Sequence, residues 1–245
     1  METKCSKSLV DPLFRSFGYS FSYSIDAVDT RGGLWMGFKV QLVFDVVHVC
    51  QNFILVKVNE CNGRLWYLCL FYDEPSTAKR VDVWEYAYQW LYNLEAPFLI
   101  MGDFNQVEYT WDKQSNSTNR IDGLDIFCDW KSSLRLMDIS FKGPKFTWCN
   151  NREGDHIVFE RLDKAYGSSD WRSIYPDSGI IHYPIQISDY APIVFDSNPV
   201  ENKERKPYKM DAWNLEHSEC MEWMLGIWNI VSVWRLYARN GILNL

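Results

Sequence analysis

Ala96-Pro97-Phe98-Leu99-Ile100-Met101-Gly102-Asp103-Phe104-Asn105 is the stretch on which the reading of the chain turns. Residues 98–101 are a continuous apolar run, which suits a strand buried on both faces. Gly102 ends the run, and Asp103 and Asn105 follow at the strand's carboxyl end. By itself, Gly-Asp after a strand is a turn. A carboxylate and a carboxamide two residues apart also suit phosphodiester chemistry. Asp can orient an attacking water, and Asn can donate to an anionic oxygen.

Outward from this strand, the pattern alternates between helices and strands. Residues 80–94 carry Val81, Trp84, Tyr88, Leu91 and Leu94 at helical spacing. Residues 53–58 and 65–72 are apolar and flank Asn62-Gly63, a hairpin signal. Residues 9–17 predict a short helix, and residues 34–39 and 42–50 predict strands. After the Asp103 strand, residues 113–120 read as a polar loop. Residues 121–134 read as a helix, with Leu124, Phe127, Trp130 and Leu134 on one face. Residues 145–149, 158–165, 180–187 and 192–195 predict further strands. Hairpins among the helices favour a mixed-sheet α/β sandwich over a doubly wound parallel sheet. Residues 1–199 are expected to form one domain and 200–217 a linker. Residues 218–245 are expected to be a helical tail, with the helix at 218–239.

Composition narrows the function. The 245 residues carry a net charge of −7, with 47% hydrophobic and 16% aromatic residues. That suits a folded core and excludes a wholly disordered chain. A groove-reading DNA binder is usually basic, which this chain is not. An acidic enzyme can still meet a polyanion through a bound divalent metal. The seven cysteines include no CxxC pair, which argues against zinc and against a disulfide framework. Reduced thiols and a start without an apolar signal core imply an intracellular protein, in nucleus or cytoplasm. No segment reaches about 18 uncharged apolar residues, so no membrane span is expected.

Five separated features then fall in order: Glu2-Thr3-Lys4; Tyr72 with Pro75 and Arg80; Gly102-Asp103-Phe104-Asn105; Glu160-Arg161-Leu162-Asp163; and Ser188-Asp189-Tyr190-Ala191-Pro192. Further pieces are Gly32-Gly33-Leu34, Trp84, Gly143-Pro144-Lys145-Phe146-Thr147-Trp148 and Lys206-Pro207-Tyr208. Each is weak alone. As an ordered set they resemble the endonuclease/exonuclease/phosphatase superfamily. Within it, the chain resembles the endonuclease domain of plant LINE-type (non-LTR) retrotransposons.

The resemblance implies a DNase I-like four-layer α/β sandwich, two mixed β-sheets flanked by helices. It implies phosphodiester hydrolysis with Mg²⁺ or Mn²⁺, and DNA as the ancestral substrate. Glu2 matches the family's metal-binding Glu, and Asp189 the Asp near the metal. Asp103 matches the residue that orients water, and Asn105 its partner on the phosphate. Tyr72 matches a tyrosine near the scissile phosphate, and Thr147 a phosphate-contacting Thr. Asp163 matches the carboxylate that positions the catalytic histidine.

Two departures bear on activity. The family's Ser-Asp-His is Ser188-Asp189-Tyr190 here, and His48, His156, His182 and His217 lie elsewhere in sequence. A tyrosine titrating near 10 shuttles protons poorly at neutral pH. Met1 also directly precedes Glu2, where the resemblance implies an upstream strand bearing an Asn. The expectation is therefore an N-terminally truncated, degenerate endonuclease domain lacking its first strand, weak or inactive as an enzyme. The alternative is a non-catalytic nucleic-acid or protein interaction module.

Overall fold

The computed structural model describes residues 7–19, 21–27, 32–39, 43–116, 121–186, 188–199, 237–238 and 241–242. The chain divides into two compact units, Met1–Pro199 and Val200–Leu245. In the first unit, helix α1 (Lys7–Ser16) leads into a hairpin of β1 (Phe21–Ile25) and β2 (Leu34–Phe38). The apolar segments that follow form a meander of β3 (Val43–Val49), β4 (Phe53–Asn59) and β5 (Leu65–Tyr72). Asn62-Gly63 makes the turn between β4 and β5, with Gly63 at a φ of +83°.

Helix α2 (Thr77–Leu91) then carries the chain back, so that β6 (Phe98–Asp103) pairs parallel with β5. The second half contains β7 (Lys113–Gln114), α3 (Leu124–Ser133), β8 (Leu136–Asp138), β9 (Phe141–Lys142), β10 (Trp148–Cys149) and β11 (Phe159–Glu160). It closes with β12 (Asp163–Ser168), α4 (Ser169–Ile174), β13 (Gly179–His182) and β14 (Ile193–Asp196).

A six-stranded mixed sheet in the order β3-β4-β5-β6-β12-β8 is the spine. One face packs under α2 and α3 through Phe53, Phe71, Trp84, Phe104, Phe127 and Tyr166. The other face meets the three-stranded sheet β14-β13-β9 through Leu99, Ala165, Trp171 and Ile180. It meets the β1–β2 hairpin through Leu34, Met36, Ile54 and Val56. Covered on both sides, β4 has Phe53, Ile54, Leu55 and Val56 all buried, which is why its sequence does not alternate. A small sheet, β10-β11-β7, is built beside the end of β12.

Several boundaries differ from the sequence reading. The segment 158–165 is two strands, because Arg161 and Leu162 turn the chain from the small sheet into the large one. There the Arg161 N–H donates to the Asp112 carbonyl (2.8 Å), and the Phe104 N–H donates to the Leu162 carbonyl (3.0 Å). The strand expected at 180–187 stops at His182, just before Pro184, which has no N–H for a ladder. Lys113 and Gln114, read as loop, pair with β11. In α2 the buried face is Arg80, Val83, Trp84, Ala87 and Leu91, so the helix is turned relative to the stripe through Val81 and Tyr88.

In the second unit, most of the helix expected at 218–239 lies outside the described residues. Within that range, Tyr237–Ala238 is a strand (β15), paired with Gly241–Ile242 (β16). Among the described residues, no helix is long and apolar enough to cross a membrane.

Candidate active site

The end of β6 places Asp103 between two neighbours. Tyr72 is its Cα partner on β5, and Asp163 its Cα partner on β12. Two carboxylates thus face each other across an antiparallel pair, an arrangement that costs energy when both are charged. They are buried as well, Asp103 to 1% exposure and Asp163 to 2%. Burial pushes the Asp163 carboxyl well above the ordinary carboxylate range, and the Asp103 charge adds to this. The Asp163 Oδ2 atom accepts no hydrogen bond among the described residues.

The turn after β6 is shaped by its own side chains. Gly102 has a φ of 144°, and Asn105 is left-handed at 45°. Asn tolerates that region better than most residues. The Asn105 N–H donates to the Asp103 Oδ1 atom at 2.8 Å, which closes an Asx turn and fixes the carboxylate. The Asn105 Nδ2 atom donates to the Asp73 carbonyl at 3.0 Å.

A cavity of about 310 Å³ opens at this point. It is walled by Asp103, Asp163, Ser188, Asp189, Tyr190 and residues 191–193. Backbone bonds hold the far wall: the Cys149 N–H donates to the Asp189 carbonyl (3.0 Å), and the Ala191 N–H donates to the Thr147 carbonyl (2.7 Å). Ser188 shapes the loop, its Oγ donating to Asp189 Oδ1 at 3.2 Å and accepting from the Tyr190 N–H at 3.1 Å.

Four of the residues singled out in the sequence therefore meet on one cavity: Asp103, Asp163, Asp189 and Tyr190. Asn105 and Tyr72 adjoin Asp103 without lining it. Tyr72 is 1% exposed and packs in the core with Leu34 and Ile54. Thr147 is fully buried, and its Oγ1 accepts the N–H groups of Leu162 and Asp163, both at 3.0 Å. In this structure the Thr147 hydroxyl holds the turn that delivers Asp163. Glu2 lies outside the described residues.

Three features had no signal in the sequence. Asp73 is fully buried; its Oδ2 accepts from Trp84 Nε1 at 2.6 Å and its Oδ1 from the Glu74 N–H at 2.7 Å. Burial raises the Asp73 carboxyl to about 8, against the pull of those two bonds. Behind β12, Arg161 clasps Asp112 through two bonds of 2.9 Å, and Lys164 donates to the Gln106 carbonyl at 2.6 Å. Lys131 of α3 pairs with Glu108, which also accepts from the Tyr166 hydroxyl at 2.8 Å. Strand alternation explains the split: Asp163 faces the cavity, while Lys164 faces this buried charge network. His182 is buried with its Nδ1 donating to the Pro144 carbonyl at 2.9 Å, and burial lowers its pKa.

The donor set suits a hard divalent cation in kind: carboxylate oxygens, one of them buried and lacking a hydrogen bond. Among the described residues, no group of three His, Cys, Asp or Glu side chains is close enough to hold a metal by itself.

A model of the endonuclease/exonuclease/phosphatase family matches residues 1–189. Comparison with curated protein sequences gives no match. Among solved structures, the chain is similar to the endonuclease domain of TRAS1, a telomere-specific non-LTR retrotransposon. The TM-score is 0.53 at 14% identity, over 77% of this chain and 89% of that one. It is also similar to the Xenopus laevis APE2 catalytic domain, with a TM-score of 0.50 at 13% identity, over 72% of this chain and 74% of that one. At such identities the likeness is one of fold, an α/β arrangement with mixed sheets. The family is generally dependent on divalent metal. With the family model matching 189 of 245 residues, the chain belongs to the endonuclease/exonuclease/phosphatase family.

Proposed function

We propose that this chain is a metal-dependent phosphodiesterase of the DNA-nicking type, related to the endonucleases of LINE-type retrotransposons and weakened by Tyr190. The observation that carries this reading is the cavity shared by Asp103, Asp163, Asp189 and Tyr190.

In the proposed reaction, Asp103 orients the attacking water and takes up its proton at the carboxylate fixed by Asn105. The Asn105 carboxamide spends one N–H on the Asp73 carbonyl. Its second N–H donates to a non-bridging phosphate oxygen. Asp189 and Glu2 are the residues that would hold Mg²⁺ or Mn²⁺, and the ion would supply neutralisation of charge on the phosphate oxygens. Asp163 takes the role of the carboxylate that orients a histidine, and the cavity it lines carries Tyr190 instead. A phenol hydrogen-bonds a phosphate oxygen but protonates a leaving alkoxide less well than an imidazolium does. Lost general acid–base catalysis costs about 10²–10⁴ in rate.

The test is nicking of supercoiled plasmid by the full chain with Mg²⁺ and with excess EDTA. Slow nicking that needs Mg²⁺ and disappears in Asp103→Ala supports the proposal. DNA retention with no turnover in any metal, unaffected by Asp103→Ala, would favour a binding module instead.

A further inference from the structure

We propose that Asp73 and Trp84 form a latch between α2 and the end of β6 that positions Asn105 and, through it, the Asp103 carboxylate. The inference rests on the proposed function for its catalytic consequence only; the latch itself is geometric.

The bonds run in one direction. Trp84, on α2, donates its indole N–H to Asp73 Oδ2 at 2.6 Å. The main chain of Asp73 reaches the site twice. Its N–H donates to the Asp103 carbonyl at 2.8 Å, and its carbonyl accepts from Asn105 Nδ2 at 3.0 Å. Asn105 then donates its own N–H to Asp103 Oδ1 at 2.8 Å. Arg80 braces the same turn from α2, donating to the carbonyls of Glu74 and Pro75, both at 2.9 Å, and to Gln106 Oε1 at 2.8 Å.

This support has a physical need. Asn105 is left-handed at a φ of 45°, a conformation that few residues but Asn and Gly adopt readily and that the surrounding bonds hold in place. A carboxamide anchored at one N–H has its plane fixed, so the second N–H points in one direction. Asp73 is buried just past the end of β5, where a charge is costly, yet its side chain accepts two donors. A buried, fully engaged carboxyl is expensive to retain for packing alone. Asp73 and Trp84 touch no substrate; they are positioning residues.

The test uses the full chain with ¹⁵N-labelled Asn, with the Asn105 side-chain amide assigned by its loss in Asn105→Asp. Hydrogen exchange of that amide is compared in the wild type, Trp84→Phe and Asp73→Asn. Trp84→Phe keeps the ring and removes only the donor; Asp73→Asn keeps the shape. The expected result is faster Asn105 exchange in both by about tenfold, with kcat for plasmid nicking down about tenfold to a hundredfold and KM unchanged. The double variant should lose little more than either single variant, because the two act through one bond. Unchanged Asn105 exchange in both singles, or a fully additive double variant, overturns the latch. If the wild type does not nick DNA at all, the proposed function fails, while the exchange measurement still decides the latch.

Discussion

Gly143, just past β9, adopts backbone that only glycine can adopt freely. Its φ is 101°, and a Cβ there would stand 2.2 Å from the His182 carbonyl oxygen. Neither strain nor clash is relieved by a side-chain rotation, since the neighbour is backbone. Gly143→Ala is expected to cost about 2 kcal/mol or more, read as a lower urea midpoint at unchanged m-value. The residues of the site itself were unequally legible in the sequence. Asp103, Asp163 and Asp189 each follow or precede a recognisable strand, so their convergence followed from an ordered motif set. Asp73 was not legible as a site residue. Its partner, Trp84, lies eleven residues on within a helix, and no local pattern links a strand end to a helix face. Thr147 was legible as a strand residue, but the two N–H groups it accepts belong to a turn set by tertiary contact.

At the scale of elements, apolar strands were easy to find and their ends were not. β4 and β6 declare themselves through continuous apolar runs, whereas the break at Arg161 and Leu162 depends on Asp112, about 50 residues earlier. That pair is also the test of the element. Arg161 and Asp112 are both buried, joined by two bonds of 2.9 Å, with Lys164 3.8 Å from Asp112. Removing one partner strands buried positive charge. Asp112→Ala is expected to destabilise the fold by about 3–5 kcal/mol, measured by urea unfolding. A loss under 1 kcal/mol would mean that the pair is not what secures the β11–β12 corner. Lys131 carries the same lesson for α3. A lysine on an amphipathic helix reads as solvent-facing, and its inward turn is explained by Glu108, by Asp138 at 3.5 Å and by the Tyr166 ring below it.

Across the whole molecule, buried titrating groups set opposing pH limits. Asp73 is raised to about 8, with Glu74, Trp84, Arg80 and Asp103 facing it. Between about pH 4 and pH 8 the folded chain holds a proton there that the unfolded chain has released. Stability therefore falls as pH rises through that window, by up to about 1.4 kcal/mol per pH unit, and levels off above it. His182 works the other way. Its folded pKa is lowered, so the unfolded chain takes up the proton first as pH falls below about 6.5, and stability is lost on the acid side. Urea midpoints across pH 5–9 should show this, with Asp73→Asn flattening the fall that ends near pH 8 and His182→Phe the loss below about pH 6.5. Parallel wild-type and variant profiles would refute both assignments.

The central claim is that the cavity of Asp103, Asp163 and Asp189 cleaves phosphodiesters and that Tyr190 limits it. The most direct measurement is the Mg²⁺-dependent nicking rate of the full chain beside Tyr190→His, with Asp103→Ala as the blank. Histidine at 190 would share the cavity wall with Asp163 and titrate near neutral pH. The expected result is a slow wild type, a faster Tyr190→His by up to about 10²-fold, and no nicking by Asp103→Ala. A wild type as fast as Tyr190→His, or nicking that survives Asp103→Ala, would contradict the account.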